Sequence, residues 1–332
     1  MSHQGATFQR ATSFWLTRPG SAELREESLP AMAADDASCV EVKTLYSAIS
    51  RGTEALVFHG RVPESEHQRM RAPFQQGEFP APVKYGYSSV GKVINGPEDL
   101  IDQTVFCLFP HQDRYQVPIS AVQPVPTATP ASRAVLAANM ETAINGVWDA
   151  SPLPGERITI VGAGVVGALV AYLCQRIIGT EVQLMDINPA RQALADALGV
   201  SFCTPDQAAD DQDLVIHASG HADGLATALK LAGMEGRIIE MSWFGEGNVS
   251  IPLGGAFHSR RLTLRASQVG QLPPHQQPRW DYARRLQLAL RLLEDPRLDA
   301  LISGETPFIK LPEEAPSLFA ANSQVLCQRI VY

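Results

Sequence analysis

The run Ile158-Thr-Ile-Val-Gly162-Ala-Gly164-Val165-Val166-Gly167 constrains the fold more than any other part of this chain. A β-branched stretch enters it, and a helix of small and apolar residues, Ala168-Leu-Val-Ala-Tyr-Leu-Cys174, leaves it. The next apolar run, Glu181-Val-Gln-Leu-Met-Asp186, ends on a carboxylate. Three spaced glycines alone are weak evidence. With a strand before them, a helix after them, and a second strand ending in an acid about 20 residues on, they meet the full context of a dinucleotide-binding βαβ unit. Gly162 is expected to make the tight turn, Gly164 to let a pyrophosphate approach the backbone, and Gly167 to let the helix pack on the strand. The helix start at Val165 and Val166 offers free N–H groups and the positive end of a dipole to phosphates.

The rest of the composition narrows the class. A chain of 332 residues exceeds one average domain, so two domains are expected. The net charge of −8 argues against a nucleic-acid partner. No segment has the apolar length of a signal peptide core or a membrane span, so no membrane partner is expected. The five cysteines are scattered and form no CxxC pair, which implies neither a disulfide framework nor a cysteine-rich zinc lobe. A reducing cytoplasm is the expected location.

Residues before about 125 read as strands and turns, for example Cys39–Tyr46, Ser89–Ile94 and Thr104–Phe109 between Pro, Gly and Asp/Asn breakers. Val122–Pro130 is a proline-punctuated linker. Helical and strand patterns then alternate through Arg191–Gly199, Leu214–Gly220, Gly224–Leu231, Gly236–Met241 and Leu262–Ser267. This alternation predicts a doubly wound parallel sheet. Tyr282, Leu286, Leu290 and Leu293 share one helical face ahead of Pro296, and Leu326–Tyr332 reads as a terminal strand. The expected division is residues 1–139 as a substrate domain, 140–268 as a Rossmann domain, and 269–332 as a segment returning to the first domain.

This layout resembles the medium-chain dehydrogenase/reductase superfamily, with a GroES-like β-rich catalytic domain and a Rossmann domain. Ile49-Ser-Arg-Gly-Thr-Glu54 followed by Gly60 is similar to that superfamily's zinc-cysteine turn. Pro82-Val-Lys-Tyr-Gly86-Tyr-Ser-Ser-Val-Gly91 is similar to its P-x-x-x-G-H-E-x-x-G strand, and Ala138–Ala143 to its A-L-x-E-P segment. Under that resemblance Arg51 stands at the zinc cysteine, Tyr87 at the zinc histidine and Ser88 at the adjacent glutamate, leaving only Glu141 at the third ligand site. Catalytic zinc needs three good N, S or O ligands, so no zinc is expected. The pattern resembles a zinc-lacking branch that includes the dehydrogenase of the bacteriochlorophyllide hydroxyethyl side chain.

The resemblance implies an alcohol dehydrogenase-like oxidoreductase moving hydride between a nicotinamide and a carbonyl or secondary alcohol of a small-molecule substrate. Two other readings stay open: an NADPH-dependent enone or quinone reductase, and a nucleotide-sensing protein without turnover. Asp186 is placed to accept from the adenosine ribose hydroxyls, which favours NAD(H); Arg191 leaves NADP(H) open. Ser219 and Asn145 are further cofactor candidates. Thr53 is a candidate proton relay or a turn cap. Tyr87 is a candidate acid or a half-buried strand tyrosine. Arg51 stands either as a positive charge replacing the metal or as an ion-pair partner of Glu54 or Glu141. Glu141 reads as a base or as that partner. His217 reads as a satisfied core histidine, and His111 as a second choice for acid–base work. The resemblance also implies a homodimer joined at the Rossmann sheet edge, near Gly245–Leu253.

Overall fold

Ile158, Ile160 and Val161, Leu214 to Ile216, and Ile238 and Ile239 are all buried, so these strands have no polar face to give to water. A parallel sheet covered on both sides by helices requires such runs. The structure is a computed structural model and describes residues 9–32 and 38–332. It contains a six-stranded parallel sheet in the order Ser201–Cys203, Glu181–Met185, Arg157–Val161, Gln212–His217, Ala232–Glu240, Thr263–Ala266. Numbered along this unit, the order is 3-2-1-4-5-6. The strand order therefore reverses between Arg157–Val161 and Gln212–His217, where such sheets open a ligand crevice at their carboxyl ends. The helices Val165–Cys174, Gln192–Leu198 and Ala222–Leu231 alternate with the strands. Gln192–Leu198 ends on Gly199 in the left-handed region, the stop expected from the sequence.

Two compact units divide the chain. One joins the residues up to Ala138 with Ile302–Tyr332, and the other is Asn139–Leu301. The return to the first unit thus begins at Ile302 and not at residue 269. Side chains explain the difference. Arg285, on the helix Tyr282–Leu292, is buried against Glu141 and Asn145, and Asp295 accepts from the Tyr172 hydroxyl over 2.8 Å and from Arg176 over 3.0 Å. These contacts tie residues 282–295 to the parallel-sheet unit. The sheet edge is also defined. Residues 245–253 contain no strand, and the edge strand is Thr263–Ala266.

The first unit holds a four-stranded and a seven-stranded sheet. In the larger one the terminal strand Cys327–Val331 runs antiparallel to Cys39–Ile49, which also pairs with Ser89–Asn95 and Arg114–Pro118. Val40, Val42, Val93, Val105, Tyr115 and Val117 form the core of this unit, and Phe109 stacks on Tyr115 at 3.9 Å. Val40 and Val42, and Val105 and Cys107, lie two residues apart and so share a face, while Glu41 and Phe106 between them are buried on the other. Among the described residues no helix is long and apolar enough to cross a membrane.

Candidate active site

Each glycine of the fingerprint meets a different environment. Gly162 has φ +107, and a Cβ there would lie 2.7 Å from the Ser219 Cα. At Gly167 a Cβ would lie 1.9 Å from the Gly162 carbonyl oxygen, so only glycine lets the helix approach the strand. At Gly164 nothing lies within 4 Å of the added carbon. The open space is therefore at the glycine where a pyrophosphate would meet the backbone. Gly164 is exposed and caps the helix Val165–Cys174, with Val165 and Val166 half-exposed in its first turn.

The carboxylate of Asp186 is tied to this loop. Its Oδ2 accepts from the Ala163 N–H over 2.7 Å, and its Oδ1 from the Asn188 N–H over 2.8 Å. Arg191 is half-exposed and closes the short turn Pro189–Arg191 just beyond. Across the switch point, Ser219 follows the strand that ends at His217. Its hydroxyl is 2.6 Å from His217 Nε2, and His217 Nδ1 is 2.6 Å from Glu240 Oε2. His217 is fully buried with both ring nitrogens engaged, so it is the satisfied histidine expected, and it orients Ser219.

Glu141 and Asn145 lie one turn apart on the helix Ala137–Ala150 and share a partner that sequence spacing could not reveal. Arg285 donates from Nε to Glu141 Oε1 over 3.1 Å and from Nη1 to Asn145 Oδ1 over 2.6 Å. All three are buried. Burial raises the Glu141 carboxyl above its usual range, and the Arg285 charge and hydrogen bond pull it back only in part. The Asn145 amide also donates to Asp149 Oδ2 over 3.1 Å. Arg285 is 144 residues from Glu141 in the chain, and no motif marks it.

Arg51, Thr53 and Tyr87 belong to the first unit. Ser50 caps the helix Arg51–Phe58, and its N–H donates to Glu54 Oε1 over 2.7 Å. Tyr87 lies in the extended link between Val83–Lys84 and Ser89–Asn95. Burial of its hydroxyl and the nearby Glu54 carboxylate push this phenol up to about 12, while hydrogen bonds shared with Ser50 and Thr53 act the other way. At neutral pH it is a proton-bearing hydroxyl. Arg51 points its Nη2 at the Ala320 carbonyl oxygen over 2.8 Å. The segment after this helix reaches the same place: the Phe79 ring is 5.7 Å from Tyr85, and Tyr85 is 5.9 Å from Tyr87.

His111, the second choice for acid–base work in the sequence, is held by two side chains at once. Its Nε2 is 3.0 Å from Glu54 Oε2, and its Nδ1 is 2.7 Å from the Ser47 hydroxyl. Both His111 and Glu54 are buried. The left-handed Gly86 makes room for the ring, since a Cβ there would come within 2.9 Å of the imidazole Cδ2. The only sequence signal was a polar Pro110-His-Gln-Asp113 run inside a β-rich domain.

The positions that resemble a catalytic zinc site carry a poor donor set. Arg51 has no lone pair to give, Tyr87 is a neutral phenol, and the Ser88 hydroxyl donates to the Val135 carbonyl. These groups do not fit a zinc ion. Among the described residues no cluster of three His, Cys, Asp or Glu side chains could hold a metal.

A β-rich unit completed by the chain's end, joined to a 3-2-1-4-5-6 parallel sheet, is the fold of the medium-chain dehydrogenases. Solved structures agree with it. L-idonate 5-dehydrogenase from Escherichia coli superposes with a TM-score of 0.79 at 17% identity, covering 98% of this chain and 99% of that one. A zinc-binding dehydrogenase from Sinorhizobium meliloti bound to NADP superposes at 0.77 with 16% identity, over 98% and 100% of the two chains. In sequence, 2-dehydro-3-deoxy-L-galactonate 5-dehydrogenase of Pseudoalteromonas atlantica is 29% identical over 139 residues, 39% of this chain and 40% of that protein. The chain thus matches well under half the length of this curated relative. No protein-family model matches the chain.

Proposed function

We propose that this protein is a nicotinamide-dependent oxidoreductase that works without zinc and moves hydride between the cofactor and a carbonyl or secondary alcohol. The glycine geometry carries this reading: of the three fingerprint glycines, two are packed against backbone and the third faces open space at a helix start. The cofactor supplies the hydride chemistry when bound. The Gly162–Gly167 loop and Ser219 hold its phosphates and ribose, and Asp186 favours NAD(H) over NADP(H) by repelling a 2′-phosphate. Asn145, fixed by Arg285, positions the nicotinamide. Tyr87 gives a proton to the substrate oxygen or takes one from it, Thr53 shares that hydrogen bond, and Arg51 supplies positive charge near the developing alkoxide. The aromatic contacts through Tyr85 and Phe79 support a role for residues 61–80 in shaping the substrate pocket. Sugar acids are the first substrates to screen, because the Escherichia coli and Pseudoalteromonas proteins are named for them. A homodimer through the exposed edge strand Thr263–Ala266 completes the proposal.

Four measurements test it. Elemental analysis of untagged protein should find far less than one zinc per chain; stoichiometric zinc that resists chelation refutes the metal-free reading. Tyr87→Phe should lower kcat by at least roughly tenfold with NADH affinity intact. NADH binding without hydride transfer to any carbonyl would favour a nucleotide sensor, and preferential reduction of enones by NADPH would favour the reductase alternative. Light scattering giving a monomer mass at micromolar concentration would remove the dimer.

A further inference from the structure

We propose that His217 and Glu240 are positioning residues that lock the Ser219 hydroxyl as a hydrogen-bond acceptor, so that Ser219 takes a donor from the nicotinamide half of the cofactor and not a phosphate. The inference rests on the nicotinamide-cofactor reading for its ligand, while the proton order inside the protein stands separately. His217 and Glu240 face each other in register at the carboxyl ends of the strands Gln212–His217 and Ala232–Glu240. That is the end of the parallel sheet where the crevice opens. His217 Nδ1 is 2.6 Å from Glu240 Oε2, and His217 Nε2 is 2.6 Å from Ser219 Oγ. Glu240 Oε1 accepts from the Ser242 N–H over 2.6 Å. His217 is fully buried and Ser219 half-exposed, so the line runs from the interior out to the crevice.

Each proton in this line has one place to go. A carboxylate only accepts, so the close contact between Nδ1 and Oε2 needs its proton on Nδ1. A neutral imidazole then has a lone pair at Nε2, and the Ser219 hydroxyl donates to it. The first turn of the helix Ala222–Leu231 presses on the same nitrogen, since a Cβ at Gly224 would lie 2.7 Å from Nε2. The positive end of a helix dipole disfavours an imidazolium there. Ser219 Oγ, with its proton given to His217, also accepts from the His221 N–H over 3.3 Å. One lone pair is left, and it can only accept. The pyrophosphate would bring only acceptors to this position. A ribose hydroxyl or the carboxamide NH2 brings a donor.

The place of Ser219 selects the half of the cofactor. A Cβ at Gly162 would lie 2.7 Å from the Ser219 Cα, so Ser219 flanks the turn that would meet the pyrophosphate. Asp186 follows the strand Glu181–Met185 on one side of Arg157–Val161, and Ser219 follows Gln212–His217 on the other. A dinucleotide whose pyrophosphate crosses the turn and whose adenosine ribose meets Asp186 brings its second ribose and its carboxamide to the Ser219 side. Replacing Glu240 with Gln reverses the line without changing its shape. The Ser242 N–H holds the new amide oxygen, which leaves the amide NH2 against Nδ1. Nδ1 must then accept, the ring proton moves to Nε2, and Ser219 turns its own proton toward the ligand. Residues that only filled space beside Ser219 would not have this effect.

The test reads the tautomer and the ligand together. In protein labelled with ¹⁵N-histidine, the His217 ring signals are assigned by their loss in His217→Asn. Wild type without cofactor should carry the ring proton on Nδ1, and Glu240→Gln should carry it on Nε2. A wild-type ring protonated at Nε2, or at both nitrogens, overturns the inference. Titrations with NADH, ADP-ribose and ADP identify the partner. Ser219→Ala removes one hydrogen bond, so it should weaken NADH binding about threefold to tenfold and leave ADP binding unchanged. Glu240→Gln should weaken NADH at least as much. An equal loss for ADP-ribose assigns the donor to the ribose, and a loss for NADH alone assigns it to the carboxamide. Unchanged NADH affinity in Ser219→Ala, or the same loss for ADP, overturns the inference. If Glu240→Gln fails to fold, the wild-type tautomer and Ser219→Ala still decide. NADH-dependent reduction of 2,3-butanedione by wild type separates the two proposals. Reduction together with unchanged binding in Ser219→Ala keeps the oxidoreductase reading and sinks this one. The expected tautomer and binding pattern with no hydride transfer to any carbonyl does the reverse. A wild type that binds none of the three nucleotides sinks both.

Discussion

Replacing Arg285 with Met should destabilise the parallel-sheet unit, and the size of the effect follows from burial. Arg285 is 3% exposed and Glu141 4%. The substitution removes the donor 3.1 Å from the Glu141 carboxylate and the one 2.6 Å from Asn145 Oδ1. A buried charge stripped of its partner costs about 3–5 kcal/mol. For a domain of this size each kcal/mol shifts the melting temperature by about 2–4 °C, so a fall of roughly 6–20 °C is expected at pH 8. The pH dependence has a definite sign. Burial already holds the Glu141 pKa above its ordinary 4.5, and loss of Arg285 removes the two effects that oppose this rise. A carboxyl raised in the folded state contributes stability that is full below its unfolded value and lost as pH rises through its folded value. The deficit of Arg285→Met should therefore shrink on going from pH 8 to pH 5. The double variant Arg285→Met, Glu141→Gln should recover most of it at pH 8, because no buried charge is left alone. Calorimetric melting at both pH values decides the matter. A deficit under about 2 °C at pH 8, or one that does not shrink at pH 5, refutes the reasoning. The same variant removes the Arg285 donor from Asn145 Oδ1, so NADH affinity should fall as well.

Other changes follow from single contacts. Gly167→Ala should fail to accumulate as folded protein, since its Cβ meets the Gly162 carbonyl at 1.9 Å, whereas Gly164→Ala should fold normally and bind NADH at least roughly tenfold more weakly; equal melting temperatures for the two would contradict this. Asp186→Ser should narrow or reverse the preference for NADH over NADPH in titrations, and should also lower the melting temperature because Ala163 and Asn188 lose their acceptor. Lys84→Met should cost about 3 kcal/mol in denaturant unfolding, since the Lys84 ammonium is buried between Glu27 at 2.9 Å and Gln112 at 2.7 Å. Burial alone would raise the Glu27 carboxyl, but Lys84 and Ser13 hold it below its usual 4.5. Wild type should thus lose stability as pH falls below about 4.5, and Lys84→Met should lose less.

The strand, glycine turn and helix of the βαβ unit were legible in the sequence because everything that makes them is local. A βαβ unit packs a strand, a turn and a helix within one short stretch. The turn demands glycine where φ is positive at Gly162 and where backbone meets backbone at Gly167. The same locality let the second strand announce Asp186 and the helix stop announce Gly199. The β-rich unit was readable as strands and turns, but not its pairing, because register there joins Cys39–Ile49 to a strand from the far end of the chain. Long-range meetings of side chains left no periodic trace. The helix Tyr282–Leu292 showed its apolar face, yet that face did not say that Arg285 would close on Glu141 and Asn145 and so keep residues 269–301 with the second unit. His111 looked like one polar residue in a loop. Only the fold brings Glu54 and Ser47 to its two nitrogens, because a buried imidazole must find partners and the chain supplies them from two other places. Local backbone demands write themselves into residue types at fixed spacing; the pairing of buried polar groups is decided by topology, and that exists only in three dimensions.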